Sequence, residues 1–181
     1  ALLFAALAQG RSKICGLADG ADVASTRSCL EQLGVSITGN SEETYVEGVG
    51  LHGLKAPEQA LDCGNSGTTM RLLMGILAGQ NFASQLVGDA SLSSRPMGRI
   101  SEPLQAMGAK MSLSEGRFAP LNIQPSSLKG FNYDLPVASA QVKSALLLAG
   151  LYADKPVTLI GKLASRDHTE RMLPAYGVAL E

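Results

Sequence analysis

The sequence predicts an α/β (α+β) chain in which one compact unit, two helices with a small sheet, is used three times over 181 residues. Three observations carry that reading. Apolar stretches of helical and of strand length alternate from one end to the other. A helix-ending signature recurs as Glu31-Gln32-Leu33-Gly34-Val35, Gln105-Ala106-Met107-Gly108-Ala109 and Pro174-Ala175-Tyr176-Gly177-Val178. Its glycines stand roughly seventy residues apart, too long a period for a solenoid. The first helix of each unit is apolar nearly all round (ALLFAALA from Ala1, MRLLMGILA from Met70, VKSALLLAGLYA from Val142). Such helices should be buried on most sides, bundled at the centre with the sheets outside. If they run parallel, their positive N-terminal ends share one face of the domain.

The elements follow in order. Ala1 to Gln9 reads as a helix closed by Gly10, and Ser12 to Leu17 as a strand. Asp22 caps a helix from Val23 to Leu33, where Gly34 ends it. Val35 to Thr38 and Thr44 to Val46 make an antiparallel pair around Gly39-Asn40-Ser41. A strand-like lead-in at Leu61 meets a turn, Gly64 to Thr69, and a helix over Thr68 to Ala78. Ala83 to Val87 is a strand, Pro96 opens a helix that stops at Gly108, and Lys110 to Ser114 with Leu121 to Gln124 form the next strand pair. Asn132 to Leu135 is a strand, Ser139 to Tyr152 a helix, Val157 to Ile160 a strand and Asp167 to Tyr176 a helix, with Val178 to Leu180 starting one more strand.

Composition narrows the function. Hydrophobic residues are 45% and charged residues 17%, a balance that belongs to a folded core rather than to a disordered chain. Aromatics are 4%, Trp is absent and the net charge is -1, which argues against nucleic acid as a partner and makes any anion site local. Cys15, Cys29 and Cys63 are scattered and odd in number, the pattern of reduced thiols in a cytoplasmic protein. With His52 and His168 the only histidines, no metal site is expected, Arg166-Asp167-His168-Thr169-Glu170 included. The opening apolar run is too short to span a bilayer and lacks a basic leader, so no membrane is expected; the chain reads as starting inside an element.

The chemistry is expected around Gly64-Asn65-Ser66-Gly67-Thr68-Thr69. A helix start there offers unpaired backbone donors and partial positive charge to a phosphate or carboxylate. Gly67 lets an anion approach without a Cβ in the way. Ser66, Thr68 and Thr69 offer hydroxyls or cap the helix, and Arg71 adds a full charge one turn in. An ordinary N-cap would use the same residues. Three further segments supply polar groups: Arg95 before a helix start, suited to bidentate anion binding; Ser139-Ala140-Gln141, an N-cap followed by an amide; and Ser165-Arg166, ahead of Asp167 and its capping-box partner Glu170. No carboxylate pair, Ser–His–Asp set or Cys–His set stands out, so these residues suit binding of an anionic substrate rather than acid–base work.

Taken together, GNSGTTMRLLMG, GDASLSSRPMGRISEPLQAMGA, ASAQVKSALLLAGL and SRDHTERML, in this order and spacing, resemble the 5-enolpyruvylshikimate-3-phosphate (EPSP) synthase family over essentially all 181 residues. The resemblance implies an inside-out α/β barrel of three βαβαββ-type repeats (roughly 1–50, 51–125 and 126–181), one domain of a two-domain enolpyruvyl transferase fold. It implies transfer of the enolpyruvyl group of phosphoenolpyruvate to the 5-hydroxyl of shikimate 3-phosphate by addition and elimination, without metal or organic cofactor. By motif, Asn65, Gly67, Thr68, Arg95 and Gln141 would meet phosphoenolpyruvate. Ser139, Ala140, Gln141, Ser165 and Arg166 would meet shikimate 3-phosphate. Ala140 stands where some members carry Ser, and Gly67 is the residue linked to sensitivity to glyphosate, a candidate ligand. The family's leader with its catalytic Lys, and the second domain with its acid–base carboxylates, lie outside the match, so no catalytic residue is expected here and the isolated chain should bind without turnover. Two alternatives differ in kind. The sister enzyme acting on UDP-N-acetylglucosamine carries a reactive Cys where Ala90 stands, and a non-catalytic anion-binding module would be complete as it is.

Overall fold

A computed structural model describes residues 1–180. Helix α1 (Leu2–Leu7) leads directly into β1 (Gln9–Cys15), so Gly10 is a strand residue and not the expected helix cap. Helix α2 (Ala21–Gln32) starts from Gly20, and Asp22 lies in its first turn without capping it. Strands β2 (Ser36–Gly39) and β3 (Glu43–Val49) pair antiparallel as expected, and β1 joins the other edge of β3, giving the order β1-β3-β2.

The next stretch runs β4 (Leu61–Asp62), α3 (Gly67–Leu77), β5 (Ser84–Val87), a short α4 (Ala90–Ser93) that the sequence did not announce, α5 (Gly98–Ala106), β6 (Lys110–Ser114) and β7 (Phe118–Gln124). Its sheet has the order β4-β5-β7-β6, parallel between β4 and β5 and antiparallel elsewhere. Period-two patterning sets its inner face: Ala119, Leu121 and Ile123 of β7 are buried while their neighbours face outward. The last stretch carries β8 (Asn132–Leu135), α6 (Ala140–Gly150), β9 (Thr158–Gly161) and α7 (His168–Ala175), with β8 and β9 parallel. Val178 to Leu180, expected to begin a strand, forms none.

The three recurrent helix ends are one device. Val35, Ala109 and Val178 donate their backbone N–H to Leu30, Leu104 and Leu173, while Gly34, Gly108 and Gly177 donate to Glu31, Gln105 and Pro174. This is the Schellman arrangement, and it needs the positive φ that the three glycines adopt (88°, 101° and 82°). The apolar residues at both ends of the longer bond explain why the signature reads Leu…Gly-Val or Leu…Gly-Ala.

The core is densest around α3 and α6. Met70, Leu73, Met74, Ile76 and Leu77 of α3 and Ala145, Leu146, Leu148 and Ala149 of α6 are all inaccessible to solvent. The two helices approach closely because Gly75 has no side chain: a Cβ there would lie 2.2 Å from the Ala145 carbonyl oxygen. Of the three apolar helices, α3 and α6 make the closest pair. Helix α1, though wholly buried, packs chiefly on β3, α2 and β1, with the Phe4 ring 5.6 Å from that of Tyr176 beyond α7. No helix among the described residues is long and apolar enough to cross a membrane.

Candidate functional site

The α3–α6 pairing brings two helix starts together, and the candidate site is built on them. Strand β4 hands the chain to a tight turn in which Asp62 Oδ1 accepts from Gly64 N (2.8 Å) and Cys63 O from Ser66 N (2.8 Å). Ser66 then caps α3, its Oγ accepting from Thr69 N at 3.2 Å. Of the three hydroxyls that could cap the helix or meet an anion, two are used within the fold. Ser66 and Thr69 are each 1% exposed, and Thr69 Oγ1 lies 2.8 Å from Ser66 Oγ, 2.6 Å from Thr26 Oγ1 and 3.2 Å from the Asp22 carbonyl. They tie α3 to α2 and leave Thr68 as the exposed hydroxyl of the turn.

Gln141, in the first turn of α6, closes the gap between the helices. It donates from Nε2 to Thr68 Oγ1 (2.9 Å) and accepts at Oε1 from Arg71 Nη1 (2.9 Å). Arg95 arrives from the turn after α4, donating from Nη2 to Asn65 Oδ1 (2.6 Å) and Ser91 Oγ (3.1 Å). Both guanidiniums reach the same glycine. A Cβ on Gly67 would stand 2.6 Å from Arg71 Nη1 and 3.6 Å from Arg95 Nη1. Burial, and then the charges of Arg95 and Arg99, lower the Arg71 pKa from its ordinary value. Among the described residues none of these three arginines has a carboxylate within ion-pairing distance. A concentration of positive charge with no direct ion pair, over a side-chain-free helix start, can hold a small dianion or a carboxylate.

The site residues inferred from sequence thus divide. Asn65, Gly67, Thr68, Arg95 and Gln141 converge. Ser139 caps α6, accepting from Val142 N at 3.4 Å, and Ala140 opens the helix beside it. Ser165 and Arg166 sit in the β9–α7 connection, where no hydrogen bond among the described residues links them to the arginine cluster. Ser165 instead lines a groove of about 670 Å³ with Lys143, Leu147, Leu159 and Leu163. Asp167 makes no side-chain cap, and Glu170 is not its capping-box partner but pairs with Lys143. Lys143, 4% exposed, also donates to the Leu163 carbonyl at 3.2 Å, and Ser144 and Thr169 share a buried hydroxyl contact of 2.6 Å. These bonds hold the start of α7 against α6, and so fix the Ser165–Arg166 turn relative to Ser139.

Sequence reasoning passed over two groups. Arg71 reads in the sequence only as an added charge, although its position four residues after Gly67 puts it on the face that turns back over the helix start. Asp89 gave none, since its role depends on where Asn65 lies. Cys63, beside the turn, is no nucleophile: contact with the Cys29 thiol and burial push it up and keep it protonated.

The family profile described as EPSP synthase (3-phosphoshikimate 1-carboxyvinyltransferase) matches residues 1–181. A 3-phosphoshikimate 1-carboxyvinyltransferase of Herpetosiphon aurantiacus is 57% identical over 180 residues, 99% of this chain and 42% of the relative. One of Acidithiobacillus ferrooxidans is 53% identical over 182 residues, again 42% of its length. The solved structure of EPSP synthase from Acinetobacter baumannii superposes with a TM-score of 0.96 at 48% identity, over 99% of this chain and 41% of the other. The chain spans about 42% of the length of the curated relatives it matches.

Proposed function

The chain belongs to the EPSP synthase family, and from that premise we propose that its arginine cluster is the phosphoenolpyruvate half of an enolpyruvyl transfer site, with shikimate 3-phosphate as the second substrate. One observation carries the reading: Arg71 and Arg95 both reach Gly67 while Gln141 spans α3 and α6. Asn65, Gly67, Thr68 and Arg95 bind the phosphoenolpyruvate anion, and Gln141 touches both substrates. Ser139, Ala140, Ser165 and Arg166 bind the phosphate of shikimate 3-phosphate, the α6 helix start adding backbone donors. The cluster is made of guanidiniums, amides and one hydroxyl. Its nearby carboxylate, Asp89, is committed to Asn65 and to Leu92 N, so these 181 residues by themselves bind and orient rather than turn over, and the proton-transfer groups come from elsewhere in the whole enzyme. The proposed setting is cytoplasmic. Glyphosate, another small anion, would compete at Gly67, where a methyl group would push Arg71 aside.

On this reading the domain is an inside-out α/β barrel of three βαβαββ-type repeats. Two features support it: the shared Schellman ends, and pairing that repeats in sense, with β8–β9 parallel like β4–β5, and β1–β3 antiparallel like β5–β7. Titration of the isotopically labelled chain by NMR tests the function. Phosphoenolpyruvate should shift Gly67, Thr68, Arg95 and Gln141, and shikimate 3-phosphate should shift Ser139 to Gln141, Ser165 and Arg166. A well-dispersed spectrum that neither compound perturbs would overturn the proposal.

A further inference from the structure

Arg95 is held at the site by an amide whose orientation is not free. Asn65 lies between an acceptor and a donor. Its Nδ2 donates to both carboxylate oxygens of Asp89 (3.1 and 2.8 Å), and its Oδ1 accepts from Arg95 Nη2 at 2.6 Å. An ionised carboxylate only accepts and a guanidinium only donates, so one of the two amide orientations satisfies both neighbours and the flipped one satisfies neither. Asp89 is itself fixed at the start of α4. Its Oδ1 accepts from Leu92 N (2.7 Å) and its backbone N–H donates to the Gly64 carbonyl (2.9 Å), which ties α4 to the turn before α3. The Leu92 and Asn65 hydrogen bonds hold the Asp89 carboxyl below its ordinary range, which keeps it an acceptor at neutral pH.

We propose that Asp89 is a positioning residue for anion binding: through Asn65 it aims the Arg95 guanidinium at the space over Gly67. The proposal rests on the reading of that space as the phosphoenolpyruvate site. Asp89 does not touch the ligand on this account; its effect passes through one amide.

Exchange of the two side chains isolates that effect. Asp89→Asn keeps the cap, because Asn accepts from Leu92 N as well as Asp does. Its Nδ2 then faces Asn65, which satisfies it by flipping, and the flip presents an NH2 to Arg95. In the double variant Asn65→Asp/Asp89→Asn, one oxygen of the new carboxylate accepts from the new amide and the other from Arg95, so the donor–acceptor pattern and the charge of the trio are restored. The experiment is NMR of the Arg95 side-chain N–H groups in the three proteins, free and with added phosphoenolpyruvate or inorganic phosphate. In the free protein the Arg95 Nη signals should be resolved in the parent, averaged by rotation in Asp89→Asn and resolved again in the double variant. Phosphoenolpyruvate affinity should fall about tenfold in Asp89→Asn, the cost of one charge-assisted hydrogen bond; the double variant, which puts a carboxylate in place of the ligand-binding Asn65, is read only by its Arg95 signals in the free protein. Arg95 signals unchanged in free Asp89→Asn, or averaged in the free double variant as in the single one, would overturn the proposal and leave Asp89 a helix cap. If the parent binds no phosphoenolpyruvate, the function proposed above fails, while the signals of the free proteins still decide the role of Asp89.

Discussion

Residues 51–125 and 126–180 begin with the same elements in the same order and end in different environments. In the first stretch β5 is paired on both sides, by β4 and β7, within a four-stranded sheet whose inner face is buried. In the second, β9 pairs with β8, and no strand lies on its other edge among the described residues. The exposed large hydrophobic residues of the molecule, Val137, Ile160, Leu163, Tyr176 and Leu180, all fall in the second stretch. Within the described residues, similar local signals meet unequal burial. A strand with one open edge and one uncovered face contributes less apolar area to the core, however strong its propensity.

The comparison breaks most easily where the two stretches meet. Gly75→Ala inserts a methyl group 2.2 Å from the Ala145 carbonyl, a backbone group that cannot swing away, so α3 and α6 must separate. Urea denaturation should register a loss of about 3 kcal/mol or more, and protection from hydrogen exchange should fall in both stretches together. A loss confined to residues 126–180 would mean that the two helices are less interdependent than their packing implies.

A matched pair sharpens the contrast. Leu86 on β5 is wholly buried, and Leu159 on β9 is half-buried beside the groove. Leu86→Ala should cost about 3 kcal/mol and Leu159→Ala about 1 kcal/mol in the same denaturation series. Equal losses would show that β9 is as well covered in solution as β5.

Acid acts locally and least. Asp89 has a folded pKa below its ordinary 3.8, through the Leu92 and Asn65 hydrogen bonds. A depressed carboxyl contributes stability that is present above the unfolded pKa and lost as pH falls through the folded one, so its contribution disappears below pH 3.8. Amide shifts of Leu92 and Asn65 followed through that range should move with a midpoint below 3.8, ahead of any change at β9. A midpoint at or above that value would remove the hydrogen bonds as its cause.

Much of the fold was legible in one dimension because it depends on local chemistry. The Leu…Gly-Val and Leu…Gly-Ala ends specify the Schellman turns by themselves, and β6, β8 and the Gly67–Leu77 helix fell within a residue of their expected limits. Errors arose where distant contacts take priority. Gly10 resembles a helix cap in sequence, but register with β3 makes it a strand residue opposite Gly48. Asp167 and Glu170 have capping-box spacing, but the nearby Lys143 ammonium draws Glu170 away.

At the site the division follows the same line. The sequence marked Asn65, Gly67, Thr68, Arg95 and Gln141 as candidates for an anion through small residues, amides and a guanidinium near helix starts and through the resemblance of their motifs to the family. Which hydroxyls remain free, that Arg71 joins Arg95 over Gly67, and which way Asn65 faces were decided only in the tertiary structure. Each depends on a group far away in the chain: Thr26 and Asp22 for Thr69, Gln141 for Arg71, Asp89 for Asn65. A hydrogen bond needs its partner within about 3 Å, and chain spacing cannot supply that proximity until the core has packed α3 against α6.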